Sequence, residues 1–241
     1  MNVTASFSTD YGVLGWTAAG IDETTSRVLQ VGWLSGGSND GSAAKWCPDV
    51  QGIKVCGVQA LSTVRVLEYI PEWAQLTAYP PAELSALHNG SLANETAVDL
   101  KPSEPHQLAL PAGSGAAMDL VVRFALPADA QATAVNLSVA VFDGSDSLRL
   151  AVSSGAARTV TILDRPKTWS KAQFTLEKEE TELEVRVLVD RSITEWFVGR
   201  GRMAVSRRVY PPAGSTGAFV SASAAITMAS AEAHDMACGW V

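Results

Sequence analysis

Leu183-Glu-Val-Arg-Val-Leu-Val-Asp-Arg-Ser-Ile-Thr-Glu-Trp-Phe-Val-Gly-Arg-Gly-Arg-Met-Ala-Val-Ser-Arg-Arg-Val-Tyr-Pro211 is the stretch whose pattern decides the fold. Leu183, Val185, Val187 and Val189 alternate with Glu184, Arg186 and Leu188, the period of two that a strand with one buried face requires. The pattern breaks at Asp190-Arg191-Ser192, resumes from Ile193 to Val198, breaks at Gly199-Arg200-Gly201 and resumes from Met203 to Tyr210. This predicts a three-strand meander with two short turns.

The flanking sequence repeats the theme. Short apolar runs at 97–100, 107–110, 117–124, 134–142, 148–152, 159–163, 173–176 and 217–224 are split by Gly, Pro and Asp turns. Asp143-Gly144 is a hairpin turn by chemistry, since both residues tolerate positive φ. Strands this short at this spacing predict two packed antiparallel sheets rather than βαβ units. The alanine-rich tail suits helix or thin strand, and completing a sheet favours a strand over 224–231. Upstream, strands are expected at 11–16, 27–34 and 53–58. A short helix over 80–88 is expected, with proline in its first turn, Leu84 and Leu87 on its apolar face and Asn89-Gly90 stopping it.

Composition narrows the function. The chain has 241 residues, 47% of them hydrophobic and 18% charged, enough for a substantial core. A net charge of -7 excludes a nucleic-acid partner, which needs a basic footprint. Arg200, Arg202, Arg207 and Arg208 form the one basic cluster, read as a solvated hairpin face offset by the acidic residues of 177–184. No apolar run approaches the ~20 residues of a membrane span, so no membrane partner is expected. No signal peptide is readable at the N-terminus. Four Asn-x-Ser/Thr sequons, at Asn2, Asn89, Asn94 and Asn136, are possible glycosylation sites. They would suit a secreted or vacuole-like compartment if the full-length protein carries a signal. Cys47 and Cys56 could form a disulfide, leaving Cys238 over. The cysteines and histidines lack metal-ligand spacing, and no metal or cofactor is expected.

The meander also carries a literal motif. Val189-Asp-Arg-Ser-Ile-Thr-Glu-Trp-Phe197, followed by Arg208-Val-Tyr-Pro211, resembles the signature of the C-terminal β-sandwich of glycoside hydrolase family 32, the invertase-type sucrose and fructan hydrolases. The motif residues are Asp190, Arg191, Ser192, Glu195, Phe197, Tyr210 and Pro211. Asp10-Tyr-Gly12 with 27–33 looks like strands closing the family's five-bladed propeller. Gln59-Ala-Leu-Ser-Thr-Val-Arg65 with Tyr79-Pro-Pro-Ala-Glu-Leu84 looks like the crossing from propeller to sandwich, although Val64 stands where the family has proline. The resemblance implies an all-β protein with three parts: residues 1–60 as a remnant of the last propeller blade, 61–90 as a linker with a short helix, and 91–241 as an antiparallel β-sandwich. Strands of a lone blade should expose apolar patches where other blades pack.

In the family the catalytic parts are an aspartate nucleophile, an Arg-Asp-Pro aspartate and a glutamate-cysteine acid/base, and none has a matching position in residues 1–241. Trp46-Cys-Pro-Asp49 looks like the last of these, but Trp46 has no proton to transfer. Retaining glycoside hydrolysis needs two carboxyl groups about 5–5.5 Å apart. Asp190 and Glu195 are the best local pair, yet Arg186, Arg191 and turn N–H groups lie near enough to make them poor acids, so their expected role is structural. Trp33 and Trp196 are the candidates for stacking on sugars, beside Trp46, Trp73 and Trp169. Trp196, pointing away from Ile193 and Phe197, should meet the second sheet, an interface or solvent.

The reading is therefore an invertase-like hydrolase part that does not itself hydrolyse, engaging fructosides only if the missing propeller is supplied. Two rivals stand beside it: a carbohydrate-binding sandwich, and a structural domain that associates with a catalytic propeller chain.

Overall fold

The computed structural model describes residues 10, 14–35, 49–50, 53–54, 59–126, 134–154, 157–163 and 172–237. The strands are β1 (Leu14–Asp22), β2 (Arg27–Ser35), β3 (Asp49–Val50), β4 (Ile53–Lys54), β5 (Gln59–Leu61), β6 (Arg65–Ile70), β7 (Gln75–Tyr79), β8 (His88–Leu100), β9 (His106–Gln107) and β10 (Ala117–Ala125). They continue as β11 (Val135–Val141), β12 (Asp146–Val152), β13 (Thr159–Ile162), β14 (Gln173–Thr175), β15 (Glu182–Asp190), β16 (Ile193–Val198), β17 (Met203–Arg208), β18 (Phe219–Ala222) and β19 (Ile226–Met236).

Two six-stranded antiparallel sheets make the sandwich. One has the order β17-β16-β15-β10-β19-β8, the other β14-β13-β12-β11-β18-β9. The alternation seen in the sequence is what closes them on each other. Met118, Leu120, Val122 and Phe124 of β10, with Leu183, Val185, Val187 and Val189 of β15, meet Leu137, Val139, Leu148 and Leu150 of the facing sheet in one core. The tail is a strand, longer than expected, because Ala231 and Ala233 must fit fully buried between β10 and β8. The β11–β12 hairpin turns through Phe142, Asp143 and Gly144 at φ 54°, 53° and 86°. Asp143 stabilises that turn by accepting the N–H groups of Thr216 and Gly217 at 3.2 and 3.1 Å.

A third sheet, β1-β2-β6-β7 with β5 beside β2, precedes the sandwich. β6 and β7 hydrogen-bond into the same sheet as β1 and β2, so the blade strands run on to Tyr79. The expected helix is a 3₁₀ segment over Ala82–Leu87, and His88 then begins a thirteen-residue strand where a turn at Asn89-Gly90 had been expected. Among the described residues no helix is long and apolar enough to cross a membrane.

Candidate functional site: the seam between blade and sandwich

The meander is buried on both faces, and the second face, which mixes Leu188, Phe197 and Ala204 with Arg186, Glu195 and Ser206, makes the site. Leu188, Phe197 and Ala204 occupy positions where a solvated strand would carry polar groups. They pack instead against Tyr79 and Leu84 at the end of the blade.

Arg65, the first residue of β6, is fully buried at this seam. Its Nη1 donates to Asp10 Oδ2 at 2.9 Å and its Nη2 to Glu195 Oε2 at 2.7 Å. The same Nη2 reaches Ser206 Oγ at 2.5 Å, and that hydroxyl donates to Asp10 Oδ2 at 2.7 Å. The other Glu195 oxygen accepts the Thr63 N–H at 2.6 Å. The guanidinium lies 5.1 Å from the centre of the Phe197 ring. One buried cation therefore ties the segments at residues 10 and 65 to the paired strands that carry Glu195 and Ser206. Pairing is what makes burial of these charges tolerable.

Tyr79 forms the second clamp. Its ring meets Phe197 edge-on at 5.8 Å, and its hydroxyl donates to Glu184 at 2.8 Å. Burial and the Glu184 charge push its pKa up to about 12. Arg186 stacks over the Tyr79 ring and donates through Nε and Nη2 to the two Asp119 oxygens at 2.8 and 2.7 Å. Burial works against its charge, but the Asp119 hydrogen bonds and field outweigh that and hold its pKa above the ordinary value. His88 Nε2 lies 2.9 Å from Asp119 Oδ2 on the far side.

The third clamp is the β16–β17 turn. The Ala78 N–H donates to Gly201 O at 2.9 Å, and Gln75 Nε2 to Arg202 O at 2.7 Å. Gly201 sits at φ 82°, where a Cβ would stand 2.5 Å from Ala78 O, so only glycine admits the contact. Arg202 lies 3.6 Å over the Trp73 ring and forks onto both Glu180 oxygens at 3.0 and 2.8 Å. Next to the seam is a cavity of about 480 Å³, with Thr63, Leu84, Asp190 and Arg191 among its lining residues.

Several expectations are corrected here. Glu195 pairs with Arg65 and not with Arg186 or Arg191, because Arg186 belongs to Asp119. Asp190 and Arg191 are exposed, and Arg191 takes φ 51° while its N–H donates to Ala116 O at 2.7 Å. The four-arginine cluster is solvated only at Arg200, which is exposed: Arg202 is 2% exposed and Arg207 donates to Asp146 at 2.7 Å. Trp196 cannot stack on a sugar, being wholly buried in the inter-sheet core with its indole N–H on Asp146 at 3.0 Å. Trp33, opposite Leu61 in the blade, is 43% exposed.

The remaining motif residues are structural in placement. Ser192 and Pro211 are buried, and Tyr210 is half-buried beside the Arg208 guanidinium. Asn89, Asn94 and Asn136 are exposed. Asn2, Cys47 and Cys56, with Trp46 and Trp169, lie outside the described residues. Among the described residues no group of three or more His, Cys, Asp or Glu could hold a metal.

What the geometry can do is join two units; Asp10 and Glu195, the carboxylates brought together at Arg65 among the described residues, share its guanidinium and are sealed from solvent. The family model described as glycosyl hydrolases family 32 C terminal matches residues 83–235, and the chain belongs to that family.

Solved structures agree on the fold. Fructan 1-exohydrolase IIa from Cichorium intybus superposes with a TM-score of 0.73 at 18% identity, covering 98% of this chain and 51% of that one. An exo-inulinase from Aspergillus awamori gives 0.63 at 15% identity, covering 96% and 45%. A family 32 beta-fructofuranosidase from Bombyx mori gives 0.60 at 17% identity, covering 95% and 42%. The chain thus spans about half the length of these structures or less. No curated protein matches it by sequence.

Proposed function

We propose that this chain is the C-terminal, non-catalytic part of a fructoside-cleaving hydrolase, and that it completes and braces a catalytic propeller. The distribution of exposed apolar side chains carries this reading. Ile21, Val28, Trp33, Leu61, Val64 and Tyr69 are large hydrophobics left 38–71% exposed, and all belong to the blade sheet or its crossing. The sandwich contributes only Leu163 to the same group among the described residues. Ile21 with Val28 and Trp33 with Leu61 lie on opposite faces of that sheet, so both faces call for partners of like chemistry, and neighbouring blades are such partners. The substrate class follows the similar structures, fructan-cleaving and related fructoside-cleaving enzymes, one of them in complex with 1-kestose.

The isolated chain has no hydrolytic activity in this reading. Asp10 and Glu195 converge, but each is ion-paired to Arg65 with its side chain 3% exposed, so neither can reach an anomeric carbon or donate a proton. A carbohydrate-binding sandwich would need open ring faces, and Trp196 offers none. The test is to purify the chain from a host lacking invertase and measure reducing-sugar release from sucrose, inulin and levan. None is expected. A separately expressed propeller half of a family 32 hydrolase should bind the chain and be stabilised by it. Activity of the chain alone that vanishes in Glu195→Gln with the fold intact would overturn the reading.

A further inference from the structure

Arg208 closes β17 as a half-buried guanidinium that meets no carboxylate among the described residues. The other arginines of the meander that are not exposed each have one: Arg186 holds Asp119, Arg202 holds Glu180 and Arg207 holds Asp146. The Arg208 Nε is sealed from solvent and has no hydrogen-bond partner. Arg202 Nε is in the same position, but the two Nη atoms of that side chain reach Glu180 at 3.0 and 2.8 Å. What the Arg208 guanidinium does have is the Tyr210 ring, whose centre lies 5.7 Å away. A ring contact leaves the in-plane donors unfilled, and a partly desolvated cation without an anion is costly to keep.

Its position points past the blade. β17 runs across the end of the blade sheet: the turn before it meets β7 at Ala78, and Ser206 meets both Arg65 of β6 and Asp10, ahead of β1. Arg208 lies on the same face as Ser206, two residues or roughly 7 Å further on. That is beyond the last hydrogen bond between β17 and the blade among the described residues. Ile193 stands opposite Arg208 in register. Val64 is exposed at the crossing, next to Thr63, whose N–H is held by Glu195 two pairs back along the same ladder. An arginine beside a tyrosine, ringed by apolar groups that exclude water, has the make-up of an interface anchor. Building on the bracing role given above, we propose that Arg208 docks the catalytic propeller, taking a carboxylate of that partner side-on through Nε and one Nη.

The chemistry predicts a split between stability and docking. In the isolated chain the charge has no anion, so Arg208→Met removes a desolvation cost and leaves stability unchanged or higher. In the complex the same change strands a carboxylate of the partner in the interface, and affinity falls. A residue that served only to hold the meander together would do the opposite, giving a less stable chain that docks as before.

The test is calorimetric binding of the full chain to the half of Cichorium intybus fructan 1-exohydrolase IIa that this chain does not cover, with urea unfolding of each variant alone. Arg208→Met should bind roughly thirtyfold more weakly, while its unfolding midpoint stays or rises. Arg208→Lys keeps the charge but loses the fork, and should fall between. Arg200→Met, at the exposed turn, should bind like the unaltered chain. Added salt should slow association of the unaltered chain more steeply than that of Arg208→Met. Equal affinity of Arg208→Met and the unaltered chain overturns the anchor and leaves the bracing role standing. Failure of the unaltered chain to bind overturns both. A lower stability of Arg208→Met alone makes the residue structural and overturns the anchor as well.

Discussion

Arg65 shows how one side chain can hold an interface that hydrophobic area alone does not specify. Replacing it with Met leaves Asp10 and Glu195 buried without their shared cation, and breaking a buried pair in this way costs about 3–5 kcal/mol. Urea unfolding of Arg65→Met should show a loss of that size; a change under about 1 kcal/mol would mean the cluster is solvated in solution. Gly201 offers a cleaner lesion. Alanine there meets Ala78 O and an unfavourable φ together, so Gly201→Ala should cost about 1–3 kcal/mol. Tyr79 gives a pH signature. Its folded-state pKa is raised from 10.0 to about 12, so its contribution to stability is complete below pH 10 and is lost as pH rises through 12. Phenolate absorbance should show one of the four tyrosines ionising late, and Tyr79→Phe should remove both that transition and the matching alkaline loss of stability.

At the scale of elements, the meander was legible because period two is enforced by the core on its inner face. Its outer face was legible only in part. Leu188, Phe197 and Ala204 break strict alternation, and that breach was the available sign of a second packing partner. The partners of Glu195 could not be read, since charge pairing across 130 residues leaves no local trace, whereas Arg186 and Arg191 lay temptingly close in sequence. Arg202 misled for the same reason: an arginine in a Gly-flanked turn looks solvated until Trp73 and Glu180 arrive from elsewhere. Trp196 was placed on the correct side of its strand but lacked its partner. Asp146, from the opposite sheet, accepts the Trp196 indole N–H, the Thr194 hydroxyl and Arg207. Asp146→Ala removes all three bonds at once, and a loss of about 3 kcal/mol with altered near-ultraviolet circular dichroism is expected. An unchanged spectrum would argue against the staple.

For the molecule as a whole, stability is unevenly distributed. The sandwich has a continuous core, while the blade presents apolar groups to solvent and relies on the seam. Native-state amide exchange should therefore be faster across Val28–Leu34 than across Leu183–Val189, reflecting sub-global opening of the blade. Equal protection of both would show that the blade is as stable as the sandwich without further partners.

The Arg65 knot also sets a schedule for synthesis. Asp10 and Ser206 are 196 positions apart, so the blade leaves the ribosome long before the strand that must lock it. At about 5–20 residues per second Asp10 waits roughly 10–40 s, and Arg65, 141 positions before Ser206, waits roughly 7–30 s without its final partners. Chaperones acting on nascent chains are expected to meet this protein in that interval, and slowing translation before β17 should lengthen the time it spends bound to them.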